Sequence, residues 1–371
     1  MKITFPHMGD TYIPIKVLLD TAGIEYVIPP VTTKGPLEKG ILHSPEFACL
    51  PFKTILGDFI YGIENGAEFI LFGGGCGQCR FGYFGNLQAE ILKSIGYNTR
   101  FVYLDLSNIT VKEVFQKIKP LTEGKRFLSI IKAILYAILT VFKVDKLNEL
   151  AKQTRCREIN KGQTNKVMSQ FHNKAQKASG YKSINTIINS TRKALKQIPL
   201  DREYKPLKVS IVGEIYVAAH PNINFELERK LGNMGVEVHN HLGISYWIKE
   251  HFIKKLLPFK IKDKAHEAGK EFMKTDDIGG HGLSSIGGSI LSAKKAFDGV
   301  IHIYPFTCMP EIIAQSAFSQ VQDKYNIPIM TLIIDEMTGE AGYMTRLEAF
   351  IDMLKMKREL SGRIQTVTSS L

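Results

Sequence analysis

"AEFILFGGGCGQCRFGYFGNLQAEILKSIGYNTRFVYLD", Ala67 to Asp105, decides the fold. Its apolar run "AEFILF" reads as a strand that enters a glycine-rich turn. "FGNLQAEILKSIG" then reads as a helix closed by Gly96, and "NTRFVYLD" as a second strand. Two strands joined by a short helix must lie parallel, which implies an open α/β sheet.

The same rhythm extends backwards. "KITFPHM" reads as a strand, "IPIKVLLDTAG" as a helix ended by Gly23, "IEYVIPP" as a strand and "PFKTILGDFIYGIENG" as a helix. Past residue 110 the β-branched runs thin out and lysines recur at helical spacing. "NKAQKASGYKSINTIINSTRKALKQI" reads as one helix, and "PLDREYKPLK" as a linker between Pro199 and Pro206.

From Lys208 the strand–helix order returns. "VSIVGEIYV", "VEVHNHL", "VIHIYPFTC" and "IPIMTLIIDE" read as strands. "NINFELERKLGNMG", "HEAGKEF", "SSIGGSILSAKKAFDG", "QVQDKYN" and "YMTRLEAFIDMLKMKREL" read as helical. The expected fold class is therefore α/β, with two Rossmann-like or flavodoxin-like open parallel-sheet domains and a helical insertion. The expected divisions are residues 1–109, with Cys49, Cys76 and Cys79; residues 110–205, basic and helical; and residues 206–371, with Cys308.

Composition narrows the class. The 371 residues are 44% hydrophobic and 23% charged, ordinary for a globular protein. "MKITFPHMGD" has no signal-peptide core, so a cytoplasmic location is expected. The most apolar stretch, Phe127 to Val144, is broken by Lys132 and Lys143, which leave ten uncharged residues between them. That is short of the roughly 20 a membrane span needs. The net charge of +12 is concentrated: Val111 to Lys205 holds 21 Lys and Arg against 7 Asp and Glu. This segment is a solvated helical face or a docking face for an acidic or phosphate-bearing partner. Nucleic acid is not expected, for lack of interleaved aromatics or a binding motif.

Five cysteines without a secretion signal point to thiols, metal ligands or catalysis rather than a disulfide scaffold. Cys76 and Cys79 follow a strand, as does Cys308, while Cys49 precedes a helix. Cys49-Leu50-Pro51 and Cys308-Met309-Pro310 share one pattern, with proline at a helix start. In open parallel sheets such loops lie where ligands bind. The glycine-rich loop lacks the lysine and spacing of a phosphate loop. A redox pair accounts only for Cys76 and Cys79. Four thiolates suit tetrahedral zinc or an iron–sulfur cubane, whose sulfides also accept from glycine-loop amides. Incidental buried cysteines remain a further reading.

"FPHMG" (5–9), "SPEFACLPFK" (44–53), "GGGCGQCRFGYF" (73–84), "VGEIYV" (212–217), "YPFTCMPE" (304–311) and "DEMTGEAGYMTRLEAFIDML" (335–354) add a resemblance. Together they resemble the 2-hydroxyacyl-CoA dehydratase and activase-related superfamily, notably its stand-alone "CoA protein activase" members. The resemblance implies paired α/β domains with a 4Fe-4S cluster between them, in anaerobic bacteria, with Cys49, Cys76, Cys79 and Cys308 as ligands. It implies low-potential electron transfer, with an ATP-dependent activator or other electron-donor protein as partner. A reductase or acyl-CoA dehydratase-type lyase acting on an acyl-CoA or other small molecule is the enzymatic alternative, and a zinc-stabilised binding protein the non-redox one. A homodimer is among the expected assemblies. Five cysteines fall short of the six a double cubane requires, and the chain lacks the phosphate-binding glycine hairpins of an ATPase. Four thiolate ligands would leave a cubane's irons closed, which suits a carrier.

Other residues carry weaker expectations. Cys156 is expected to be a non-ligand surface or packing thiol. Arg80 is expected to offset cluster charge or form an ion pair, and Glu214 to line the same cleft. His239 to His241 are expected at the surface. His281 sits in a glycine loop able to approach the cleft. Asp335, Glu336, Glu340, Thr345 and Arg346 are expected to bind a ligand or close a domain interface. Pro6, His7, Met8 and Gly9 follow the first strand with no role assigned.

Overall fold

The computed structural model describes residues 2–31, 34–74, 79–105, 116, 127–240, 242–243, 263–274 and 278–368. The expected division at residue 110, together with Cys76 and His241, lies outside the described residues. Two four-stranded, all-parallel sheets organise the chain. The first contains β1 (Lys2–Thr4), β2 (Glu25–Val27), β3 (Phe69–Gly74) and β4 (Arg100–Asp105) in the order β2-β1-β3-β4. The second contains β5 (Lys208–Gly213), β6 (Glu237–Asn240), β7 (Gly299–Pro305) and β8 (Ile329–Ile334) in the order β6-β5-β7-β8. The two orders are equivalent, so one topology occurs twice. Strands such as β5 and β7 are buried almost throughout, which explains their continuous apolar runs.

In the first half the helices are α1 (Tyr12–Ala22), α2 (Lys34–His43), α3 (Leu50–Glu64) and α4 (Phe84–Ser94). Gly23, at φ 66°, caps α1 in the left-handed region as expected. Three long helices follow: α5 (Phe127–Arg155), α6 (Gln163–Lys177) and α7 (Gly180–Lys196). The single helix expected over this last stretch is broken at Ala178–Ser179, because Gly180 takes φ 73°. The second half adds α8 (Ile215–Ala219), α9 (Leu227–Asn233), α10 (Lys264–Gly269), α11 (Gly282–Lys294), α12 (Met309–Gln315), α13 (Phe318–Tyr325) and α14 (Glu340–Thr368). Here too one reading needs correction: the end of "VSIVGEIYV" is not strand but the start of α8. Glu214 turns the chain by accepting from the backbone N–H groups of Tyr216 and Val217, both at 2.9 Å.

One core runs through both halves, joining Phe52, Leu56 and Ile70 to Val209, Ile211 and Ile303. The other face of the first sheet packs Ile3 and Val17 against Val144, Leu147, Phe171 and Ile184 of the long helices. Among the described residues no helix is long and apolar enough to cross a membrane.

Candidate functional site

In each sheet the chain reverses its lateral direction between the two central strands, the kind of switch point at which open α/β sheets bind ligands. The loops after β3 and β7 carry Cys79 and Cys308, and Glu214 follows β5. Local sequence places each thiol alike. Cys49 is the N-cap of α3, Cys308 that of α12, and Cys79 that of a 3₁₀ turn, Arg80–Tyr83. All three have extended backbones, and Pro51 and Pro310 begin the helices behind two of them.

Arg80 holds the three loops to one another. Its guanidinium donates to the carbonyl of Phe47, two residues before Cys49, at 3.3 Å. It also donates to the carbonyl of Thr307, immediately before Cys308, at 2.5 Å. Thr307 donates from Oγ1 to the same Phe47 carbonyl at 3.3 Å and holds φ 68°, a strained left-handed conformation for a β-branched residue. Gly280 closes the other side: a Cβ there would stand 3.0 Å from Pro310 Cγ and 3.9 Å from Cys79 Cβ. The loop bearing His281 therefore passes beside Cys79.

Electrostatics tie the same groups together. Burial pushes the Cys49 thiol up to about 12, helped by the charge of Glu214 and Cys79 and opposed by the Phe52 amide. Burial likewise raises Cys79, and raises Cys308 further with the charges of Glu311 and Glu214. Burial lifts Glu214 to about 7 against the amides of Tyr216 and Val217. Glu311 is fully buried, with Oε2 2.8 Å from His302 Nε2 and Oε1 without a partner among the described residues. Sequence reading did not single out Glu311, His302 or Thr307, although two of the three lie inside "YPFTCMPE".

The remaining expected residues fall elsewhere. Cys156 is fully buried in packing at the end of α5 and donates to Gln153 O, so it is not a surface thiol. His239 Nε2 lies 2.8 Å from Glu237 and its ring packs edge-on against Phe297. Glu336 pairs with the buried Lys53 across the two halves, which serves interface closure. Glu340 pairs with Lys230, Asp335 accepts from Thr338 at 2.7 Å, and Arg346 donates to Thr331 O. Thr345 donates within its own helix. His7 accepts the Tyr216 hydroxyl on its carbonyl at 2.9 Å and donates its N–H to buried Asp58 at 2.8 Å. Gly9, at φ 49°, abuts the Ala219 carbonyl. "FPHMG" thus joins the halves.

Among the described residues no group of three or more His, Cys, Asp or Glu side chains is arranged to hold a single metal ion. No protein-family model and no curated protein matches the chain.

Proposed function

We propose that the protein holds an iron–sulfur cluster between its halves and carries electrons at low potential. The observation supporting this reading is that Arg80 ties together the loops of Cys49, Cys79 and Cys308, drawn from three distant segments. Cys76, three residues before Cys79, is the fourth ligand assigned from sequence. The donor set fits such a group: buried thiols that raise one another's pKa ionise only beside added positive charge, which a thiolate-binding cluster supplies. When bound, a cubane supplies one-electron redox chemistry. The chain's own residues orient the thiols from N-cap positions, fix their spacing through Arg80, and exclude water with the apolar core behind α3. On this reading α5 to α7 form the helical insertion, whose basic surface receives an acidic donor protein.

Glu214 favours a second reading. A carboxyl whose pKa burial lifts to about 7 beside the thiols is suited to exchange a proton with a bound small molecule, as a reductase or acyl-CoA dehydratase-type lyase requires. A change in the cluster's spectrum on adding an acyl-CoA separates this enzyme from a pure carrier.

The test is anaerobic purification with iron, acid-labile sulfide and zinc counted per chain. About four irons, four sulfides and a brown band bleached by dithionite are expected. Serine variants of Cys49, Cys76, Cys79 and Cys308 should each lose most of the iron, while Cys156→Ser keeps it. One zinc and no sulfide, or a metal-free protein after anaerobic reconstitution, overturns the proposal.

A further inference from the structure

Helix α5 is apolar on two faces at its N-terminal end. One face is buried: Ile130, Ala133 and Val141 are covered, and Val144 and Leu147 join the core against the first sheet. The other is bare. Leu128 is 76% exposed, Leu135 55%, Leu139 46% and Ile131 39%. At 3.6 residues per turn these four lie within about 80° of arc and form a ridge about 16 Å long. A helix that is apolar on both faces calls for cover on both.

One shoulder of the ridge is cationic and aromatic. Lys132 is exposed, and its Nζ stands 5.5 Å from the centre of the Tyr136 ring. Tyr136 stacks on Tyr181 of α7, with ring centroids 4.1 Å and planes 12° apart. Lys143 closes the other end, 5.1 Å from the Tyr181 ring, and its Nζ lies 2.9 Å from the Tyr181 hydroxyl. Both tyrosines are half-buried, and among the described residues neither lysine forms an ion pair. The charge around them has one sign. Residues 127–144 hold Lys132 and Lys143 and no Asp or Glu, and residues 159–200 hold eight Lys and Arg and again no Asp or Glu.

Charge chooses among occupants. A second copy laid ridge to ridge would bring Lys132 and Lys143 against the same two lysines, with no carboxylate on either α5 face to separate them. An anionic bilayer answers both parts of the face. Acyl chains receive the four aliphatic side chains, and lipid phosphates meet the lysine heads, whose stems lie along the ridge. The stacked tyrosines then sit at the headgroup level, where a ring and a hydroxyl are both accommodated. We propose that α5 lays this ridge onto an anionic membrane surface, in the plane of the bilayer rather than across it. The cysteine site takes no part in this contact.

Flotation of the full chain with phosphatidylcholine vesicles, with and without about one third phosphatidylserine, tests this. Binding to the mixed vesicles should be saturable, should exceed binding to phosphatidylcholine alone about tenfold, and should weaken as salt rises. Leu135→Ser combined with Leu139→Ser, both at exposed positions, should weaken it about tenfold with native circular dichroism. Should that pair fail to fold, Leu128→Ser alone should weaken binding severalfold. Lys132→Glu should weaken it severalfold and flatten its salt dependence. No flotation, equal affinity for neutral vesicles, or unchanged affinity in the folded leucine variants overturns the proposal. So does a wild-type dimer that the leucine variants dissolve while vesicle binding persists, which would give the ridge to a second copy.

Discussion

Arg80 reaches two carbonyls that lie 33 and 227 residues away in sequence, and both belong to cysteine loops. Its value is therefore in spacing thiols as much as in charge. On the proposed cluster reading, Arg80→Met should leave the fold intact while speeding iron loss to a chelator, as exposed charged hydrogen bonds of about 1 kcal/mol or less each disappear; an unchanged rate would reduce Arg80 to a bystander. The sequence placed Arg80 next to Cys79 but could not reveal its partners, because those contacts exist only once both sheets have formed. A second residue-scale prediction concerns His172 Nε2, 3.0 Å from Asp10 Oδ1. Burial opposes both charges, yet the partner outweighs it: His172 is raised above 6.5 and Asp10 held below 3.8. The histidine's contribution is complete below 6.5 and fades as pH rises through its folded pKa. The aspartate's is complete above 3.8 and fades as pH falls through its own. Wild type should therefore exceed His172→Gln most in urea midpoint between pH 3.8 and 6.5, and the gap should shrink as pH rises above 6.5 through the histidine's folded pKa. A gap independent of pH would show that the contact is not ionic.

Among elements, those with a strong apolar period were legible and those fixed by tertiary contact were not. The strands "FILF", "VSIV" and "VIHIY" announce themselves because both their faces are covered. Helix α2, "KGPLEKGILH", carries two glycines, a proline and little apolar pattern, and escaped notice. It is held by backbone-to-backbone packing: Gly40 faces the Lys53 carbonyl and Gly57 faces the Pro36 carbonyl, with no room for a Cβ at either. Gly57→Ala should thus cost about 1–3 kcal/mol in denaturant unfolding, more than helix propensity alone would return. Stabilisation would show that the α2–α3 crossing yields easily. α8 was misread for the opposite reason, since Ile215, Tyr216 and Val217 favour strand and only the cap supplied by Glu214 makes them helical.

At the scale of the molecule, the repeated topology conceals a core shared between the two halves. Phe52 and Ile70 share a cluster with Val209 and Ile303, and Lys53–Glu336 and Tyr216–His7 cross between the halves. The protein should consequently unfold in one transition, with near- and far-ultraviolet circular dichroism superimposing. Separate midpoints would show two independent units. The twofold strand–helix rhythm was readable from sequence, since each half repeats its own pattern. The cleft between α5, α6, α8 and α9 was not, because its walls come from Asp10 and from separate stretches of residues 142–173, 218–240 and 242–243 that carry no shared motif.

Helix α8 has only five residues, about 7 Å of rise. Its first turn is capped by Glu214 beside the thiols. Its last carbonyls, of Val217 and Ala218, accept from Asn224 at the wall of the cleft. So short a rod has no room to bend within itself, and the Glu214 cap and the Asn224 turn are therefore held at a fixed separation.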